Sequence, residues 1–202
     1  MQLRSSVLRA RREEESLSFD DAVACNGASL RAALRNSGYC VVRGVVNDAQ
    51  KLSAWRENLV SFLSSLGWPG RFDDAASVYK ASDWPLGCPG IFDGFGSGHT
   101  LAAWEARLEP RVRAIFAALW QTRHLVTSLD AVCCERPRRT ALANNLLLHT
   151  DQNPYSCPDE MHAVQGVVSL TATNESSGGT TVLAGSHALR TCFALLLSLR
   201  RG

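Results

Sequence analysis

The chain has 202 residues, 46% of them hydrophobic and 20% charged, enough for one ordinary domain with a buried core and too apolar for compositional disorder. Its 21 basic and 19 acidic residues leave a net charge of +2, which argues against nucleic acid as a partner. No unbroken apolar run, residues 114–120 and 192–197 included, approaches the roughly 20 residues a membrane-spanning helix needs, so no membrane partner is expected.

Residues 1–18 read as a tail. Four Arg and two Ser within residues 1–12 resemble an organelle transit peptide, but Glu13-Glu14-Glu15 end that pattern. Residues 30–35 predict a short helix stopped at Gly38, and residues 39–46 a β-rich run. Asn47 or Asp48 then caps an amphipathic helix whose apolar stripe is Leu52, Trp55, Leu59, Phe62 and Leu66, with Gly67 as its stop. Residues 68–100, rich in Pro, Gly and aromatics, read as a packed functional loop. Thr100 caps a helix carrying Leu101, Trp104 and Leu108, and Pro110 restarts it with Val112, Ile115, Phe116 and Leu119. The period then changes. Residues 125–134, 144–149, 163–173 and 179–183 predict strands, and the apolar tail 189–199 fits a helix or an unpartnered strand. Helices followed by strands make the fold class α+β.

Seven Cys, an odd number without a Cys-x-x-Cys pair, fit reduced thiols and an intracellular, cytoplasmic setting better than a disulfide framework or a structural zinc site.

The sharpest chemical feature is His149-Thr150-Asp151. On a strand, residues i and i+2 share a face, so imidazole and carboxylate point the same way. That is two-thirds of the two-His-one-carboxylate triad of non-haem Fe(II) oxygenases; a His hydrogen-bonded to a nearby Asp has the same spacing. Three ordered stretches go further: Leu148-His149-Thr150-Asp151-Gln152, then Val164-Gln165-Gly166-Val167-Val168, then Ser177-Gly178-Gly179-Thr180-Thr181 leading to Gly185-Ser186-His187. Together with Asn36-Ser37-Gly38-Tyr39 and the block around Gly98-His99-Thr100, Trp104, Arg107 and Trp120, they resemble the phytanoyl-CoA dioxygenase-like family.

The resemblance covers about residues 27–190. It implies a double-stranded β-helix, or jelly roll, with helices packed outside, and it implies Fe(II) as metal and 2-oxoglutarate as cosubstrate. Residues 19–202 would be a single domain of that family. His149 and Asp151 would be iron ligands. Gln165 and Asn145 are candidates for cosubstrate binding, with a cross-strand amide the plainer role for Gln165. The family's second His and its 2-oxoglutarate-binding Arg lie well beyond the Gly-Ser-His corner. Here 15 residues follow His187, none of them His, so the chain is expected to be a C-terminally truncated member with an incomplete jelly roll. His187 is the substitute third ligand to consider, against a turn histidine bonding local backbone. His162 is another, against a solvated loop.

Among the remaining candidates, Asn144 faces the same choice as Asn145, and Lys80 reads as solvated or as steering an anionic substrate. Trp104 and Trp120 read as core, Arg107 as an ion-pair partner, and His124 has no partner that the sequence identifies. Two functions follow. One is an Fe(II)/2-oxoglutarate dioxygenase hydroxylating a C–H bond of a small-molecule or acyl substrate. The other is a non-catalytic truncated member serving as a binding or regulatory module. The substrate and the oligomeric state are not legible in the sequence.

Overall fold

The computed structural model describes residues 16–67, 91–92, 94–134, 151, 163–173 and 180–189. Ser16–Ser18 (β1) pairs in parallel with Val41–Arg43 (β2), Ser16 opposite Val41 and Ser18 opposite Arg43. A tight turn cannot join parallel strands, and two helices fill the crossover: Phe19–Val23 (α1) and Ala28–Ser37 (α2). β1 thus lies inside the stretch expected to be tail. Its last residue, Ser18, caps α1 by accepting the Asp21 backbone N–H at 3.1 Å.

Between the two helices Cys25, Asn26 and Gly27 all have positive φ. Gly27 is needed here twice over, since a Cβ would lie 2.8 Å from the Ala118 carbonyl oxygen. Arg31 ties the kink down, donating to the carbonyls of Asn26 and Ala118. The last residue of α2 is followed by Gly38, left-handed at φ 80°, whose N–H closes on the Leu34 carbonyl. The helix is longer than the expected 30–35, but its stop is where the glycine places it.

Ala49–Ser65 (α3) is capped by Asp48, which accepts the Lys51 backbone N–H at 3.0 Å. Trp55 and Leu63 are buried on it, while Leu52, Leu59, Phe62 and Leu66 are half-buried, so the expected stripe is the covered face. After a 3₁₀ turn, Ser97–His99, the Thr100 hydroxyl caps Leu101–Leu108 (α4), and Pro110 opens Pro110–Trp120 (α5). Here α4 departs from expectation. Leu101, Trp104 and Leu108 are exposed, and the buried residue is Ala102. The reason is a polar seam with α3: Asn58 Oδ1 accepts the Ala102 N–H at 3.0 Å, Trp55 Nε1 donates to Glu105 at 2.5 Å, and Lys51 pairs with Glu109 at 2.7 Å. Those bonds bury Ala102 and Glu109 against α3, with the exposed Glu105 at the seam's edge, and leave the apolar stripe on the other side.

Ile91–Phe92 (β3) runs antiparallel to Val132–Cys133 (β4), with Phe92 opposite Val132. Phe92 and Leu63 form a buried pair flanked by Phe62 and Cys134. Beside it, Gly98 lies so close to the 129–130 backbone that a Cβ would meet the Leu129 oxygen at 2.5 Å.

Of the four strands expected in the second half, only Val132–Cys133 has a ladder among the described residues. Residues 163–173 and 180–183 carry no sheet pairing there. Local alternation favours extended backbone, but a strand exists only through its neighbour, and neighbours are not encoded locally. The described sheets are two two-stranded pairs, so the double-stranded β-helix is not among them. The strand expected over 144–149, the loop 68–90 and the tail from 190 onward lie outside the described residues. No helix among the described residues is long and apolar enough to cross a membrane.

Candidate metal and cosubstrate site

Of the residues singled out in the sequence, His149, Asn144, Asn145, His162 and Lys80 lie outside the described residues. Asp151, Gln165 and His187 lie within them, and two of the three are joined. The Gln165 amide Nε2 donates to Asp151 Oδ2 at 2.6 Å. Both residues are exposed. Gln165 is fixed in turn by its neighbour. A Cβ on Gly166 would lie 2.7 Å from Phe116 Cζ, so the 163–173 backbone passes directly over a side chain of α5.

His187 is held elsewhere, in the turn Ser186–Leu189 at the C-terminal end of α2. Its Nε2 lies 2.8 Å from the Arg35 carbonyl oxygen, and Gly38 gives its ring room: a Cβ there would be 2.5 Å from Nδ1. The Gly185 N–H donates to the Ser37 carbonyl at 2.8 Å. The last carbonyls of a helix have no partners within it, and the Gly-Ser-His corner supplies two of them from 150 residues away in the chain. His187 thus bonds backbone, but the carbonyl belongs to the end of α2 and not to its own turn. No group of three His, Cys, Asp or Glu with metal-site geometry occurs among the described residues.

The other candidates fall into structural positions. His99 packs its ring 6.2 Å from that of Trp104, which is 39% exposed and so not core as expected. Arg107 is in no ion pair among the described residues. It donates to the carbonyls of Gly98 and Asp130 and stands 5.7 Å over Trp104, bracing the turn before α4 against the 129–130 backbone. Trp120 is half-buried, and the exposed His124 donates its backbone N–H to the Thr122 hydroxyl.

A shallow cleft between α3 and the α4–α5 junction is lined by Lys51, Trp55, Glu105, Leu108, Glu109 and Pro110. Sequence reading did not single it out, because its residues are paired across 50 positions or more. All four of its polar side chains are engaged with one another, which makes it a structural seam. The Glu109 carboxylate, 2.7 Å from Lys51 Nζ, holds the ammonium above its ordinary pKa of 10.5. A raised amine stabilises the fold fully below pH 10.5 and loses that contribution as the pH climbs through its folded value. Urea midpoints of the parent chain are therefore expected to fall more steeply than those of Lys51→Met above about pH 10.

The family model described as phytanoyl-CoA dioxygenase (PhyH) matches residues 34–192. Among curated proteins, Ava biosynthesis cluster protein O of Aspergillus versicolor is 32% identical over 114 residues, 54% of this chain and 35% of that protein. The matched stretch thus spans about a third of that relative's length. No solved structure matches.

Proposed function

The chain belongs to the phytanoyl-CoA dioxygenase family, and from that premise we propose that it is an Fe(II)/2-oxoglutarate-dependent oxygenase acting on a C–H bond of a small molecule. One observation carries the reading most: Asp151, the carboxylate of His149-Thr150-Asp151, is held by Gln165 within the stretch that matches the family. The donor set suits the metal. A carboxylate beside an imidazole is a fitting pair for Fe(II).

His149 and Asp151 would hold the iron. The bound metal with 2-oxoglutarate would supply the oxidising power, and the protein supplies orientation and a defined pocket. Asn145 is proposed to contact the cosubstrate. A small-molecule substrate is supported by the relative, which is named for a biosynthesis cluster.

Incubating the chain with Fe(II), oxygen and 2-oxoglutarate is expected to release CO₂ and succinate, even without the natural substrate. Absence of iron-dependent decarboxylation from a folded chain would favour a non-catalytic binding module instead. A further expectation concerns His187. His187→Ala is expected to lower stability by about 0.5–1.5 kcal/mol, through the lost bond to the Arg35 carbonyl, while leaving Fe(II) affinity unchanged. Thermal unfolding and metal titration check the two halves separately.

A further inference from the structure

We propose that Asn26-Gly27, in the kink between α1 and α2, is a latent modification site: Asn26 loses its side-chain amide through a cyclic imide once the kink opens, and the product does not refit against α5. The proposal is independent of the metal site.

The chemistry starts from the sequence, in which Asn26-Gly27 is the one Asn-Gly pair. The Gly27 backbone nitrogen can attack Asn26 Cγ, because glycine puts no Cβ in the way. A new C–N bond forms, the bond from Cγ to the side-chain nitrogen breaks, and ammonia leaves with the Gly27 amide proton. Water then opens the ring at either carbonyl. The products are an aspartyl residue or an isoaspartyl linkage, which routes the chain through the side chain. Asn26 is exposed, and its side-chain amide bonds to none of the described residues, so water reaches it freely.

The structure explains both why the pair stands here and what holds it shut. Cys25, Asn26 and Gly27 have φ of 48°, 53° and 77°, and the left-handed region is least costly for Asn and Gly. At a ψ of 35° the Gly27 nitrogen is turned to the far side of the Asn26 Cα–C bond from the side chain. The ring cannot close without rotation about that bond, and two contacts oppose it. Arg31 donates to the Asn26 carbonyl, which would have to swing away, and to that of Ala118 at 2.8 Å. Gly27 is buried, with the Ala118 carbonyl so near that a Cβ would lie 2.8 Å from its oxygen. An isoaspartyl linkage lengthens the backbone by one carbon at this place, and α5 leaves no room for it.

The test is peptide mass mapping of the full chain during incubation in mildly alkaline buffer, with the asparaginyl, aspartyl and isoaspartyl forms of the peptide resolved. The parent and Arg31→Met are each followed with and without urea. In urea the two are expected to convert at one rate. In buffer the parent is expected to convert more slowly by ~100-fold or more, as a buried junction opens rarely. Arg31→Met is expected to convert about tenfold faster than the parent in buffer, since two bonds that hold the kink are gone. Circular dichroism checks that the variant is folded. If it is not, Arg31→Gln, which keeps a donor and loses charge and reach, is expected to show a smaller acceleration. Converted chain, separated from the rest, is expected to melt at a lower temperature than the parent. Equal rates in buffer and urea, no conversion in urea, a parent-like rate in a folded Arg31 variant, or an unchanged melting temperature after conversion would each overturn the proposal.

Discussion

Asp151→Ala is expected to lower Fe(II) affinity by more than ~100-fold and to stop iron-dependent decarboxylation of 2-oxoglutarate. The substitution removes a ligand itself, so its effect should exceed the 10–100-fold that outer partners contribute. Asp151 is exposed, so the fold should tolerate the change. Asp151→Asn is the sharper comparison. It preserves the shape of the side chain and removes its charge, and a neutral amide oxygen is a poor ligand for a divalent cation. Calorimetric titration with Fe(II), paired with circular dichroism of the metal-free variants, distinguishes loss of the site from loss of the fold. Parent-like affinity in Asp151→Asn would remove the carboxylate from the metal site.

The largest effect on stability is expected at Trp55. Its side chain is 1% exposed, at the centre of the face α3 turns toward α4. Trp55→Ala is expected to cost about 3–5 kcal/mol, from lost burial and the cavity left behind. Against the roughly 5–15 kcal/mol that holds an ordinary domain together, that takes the chain close to unfolding. Trp55→Phe isolates the polar part. It keeps most of the ring bulk but leaves Glu105 without the indole N–H, for an expected cost of about 1–3 kcal/mol. Urea unfolding of the two variants measures both quantities. A cost below 1 kcal/mol for Trp55→Ala would mean that α3 and α4 do not meet through this residue.

The helical half was largely legible because its signals are local. Asp48, Thr100, Pro110 and Gly38 each act within a few residues of the helix end they define, and each stands where those signals predict. The facing of α4 was not legible. Leu101, Trp104 and Leu108 form a good apolar stripe, but three bonds to α3 from residues more than 40 positions away outweigh it. β1 was missed for a related reason, since Ser16–Ser18 is a strand only by virtue of Val41–Arg43.

The candidate site divides in the same way. The spacing of His149-Thr150-Asp151 and the motifs after it led to the family and named both Asp151 and Gln165. Their bond to one another was hidden, because nothing in a 14-residue separation says that two polar side chains will meet. The Gly185-Ser186-His187 corner was recognisable as a motif. That it closes the end of α2, with Gly38 left bare so that the imidazole fits, emerges only in three dimensions.

The most direct measurement is an anaerobic titration of the 202-residue chain with Fe(II) in the presence of 2-oxoglutarate, following the weak visible charge-transfer band of the ternary complex. A band that appears in the parent and is lost in His149→Ala is the expected result. A folded parent chain that develops no band would contradict the assignment of His149 and Asp151 to a working iron site.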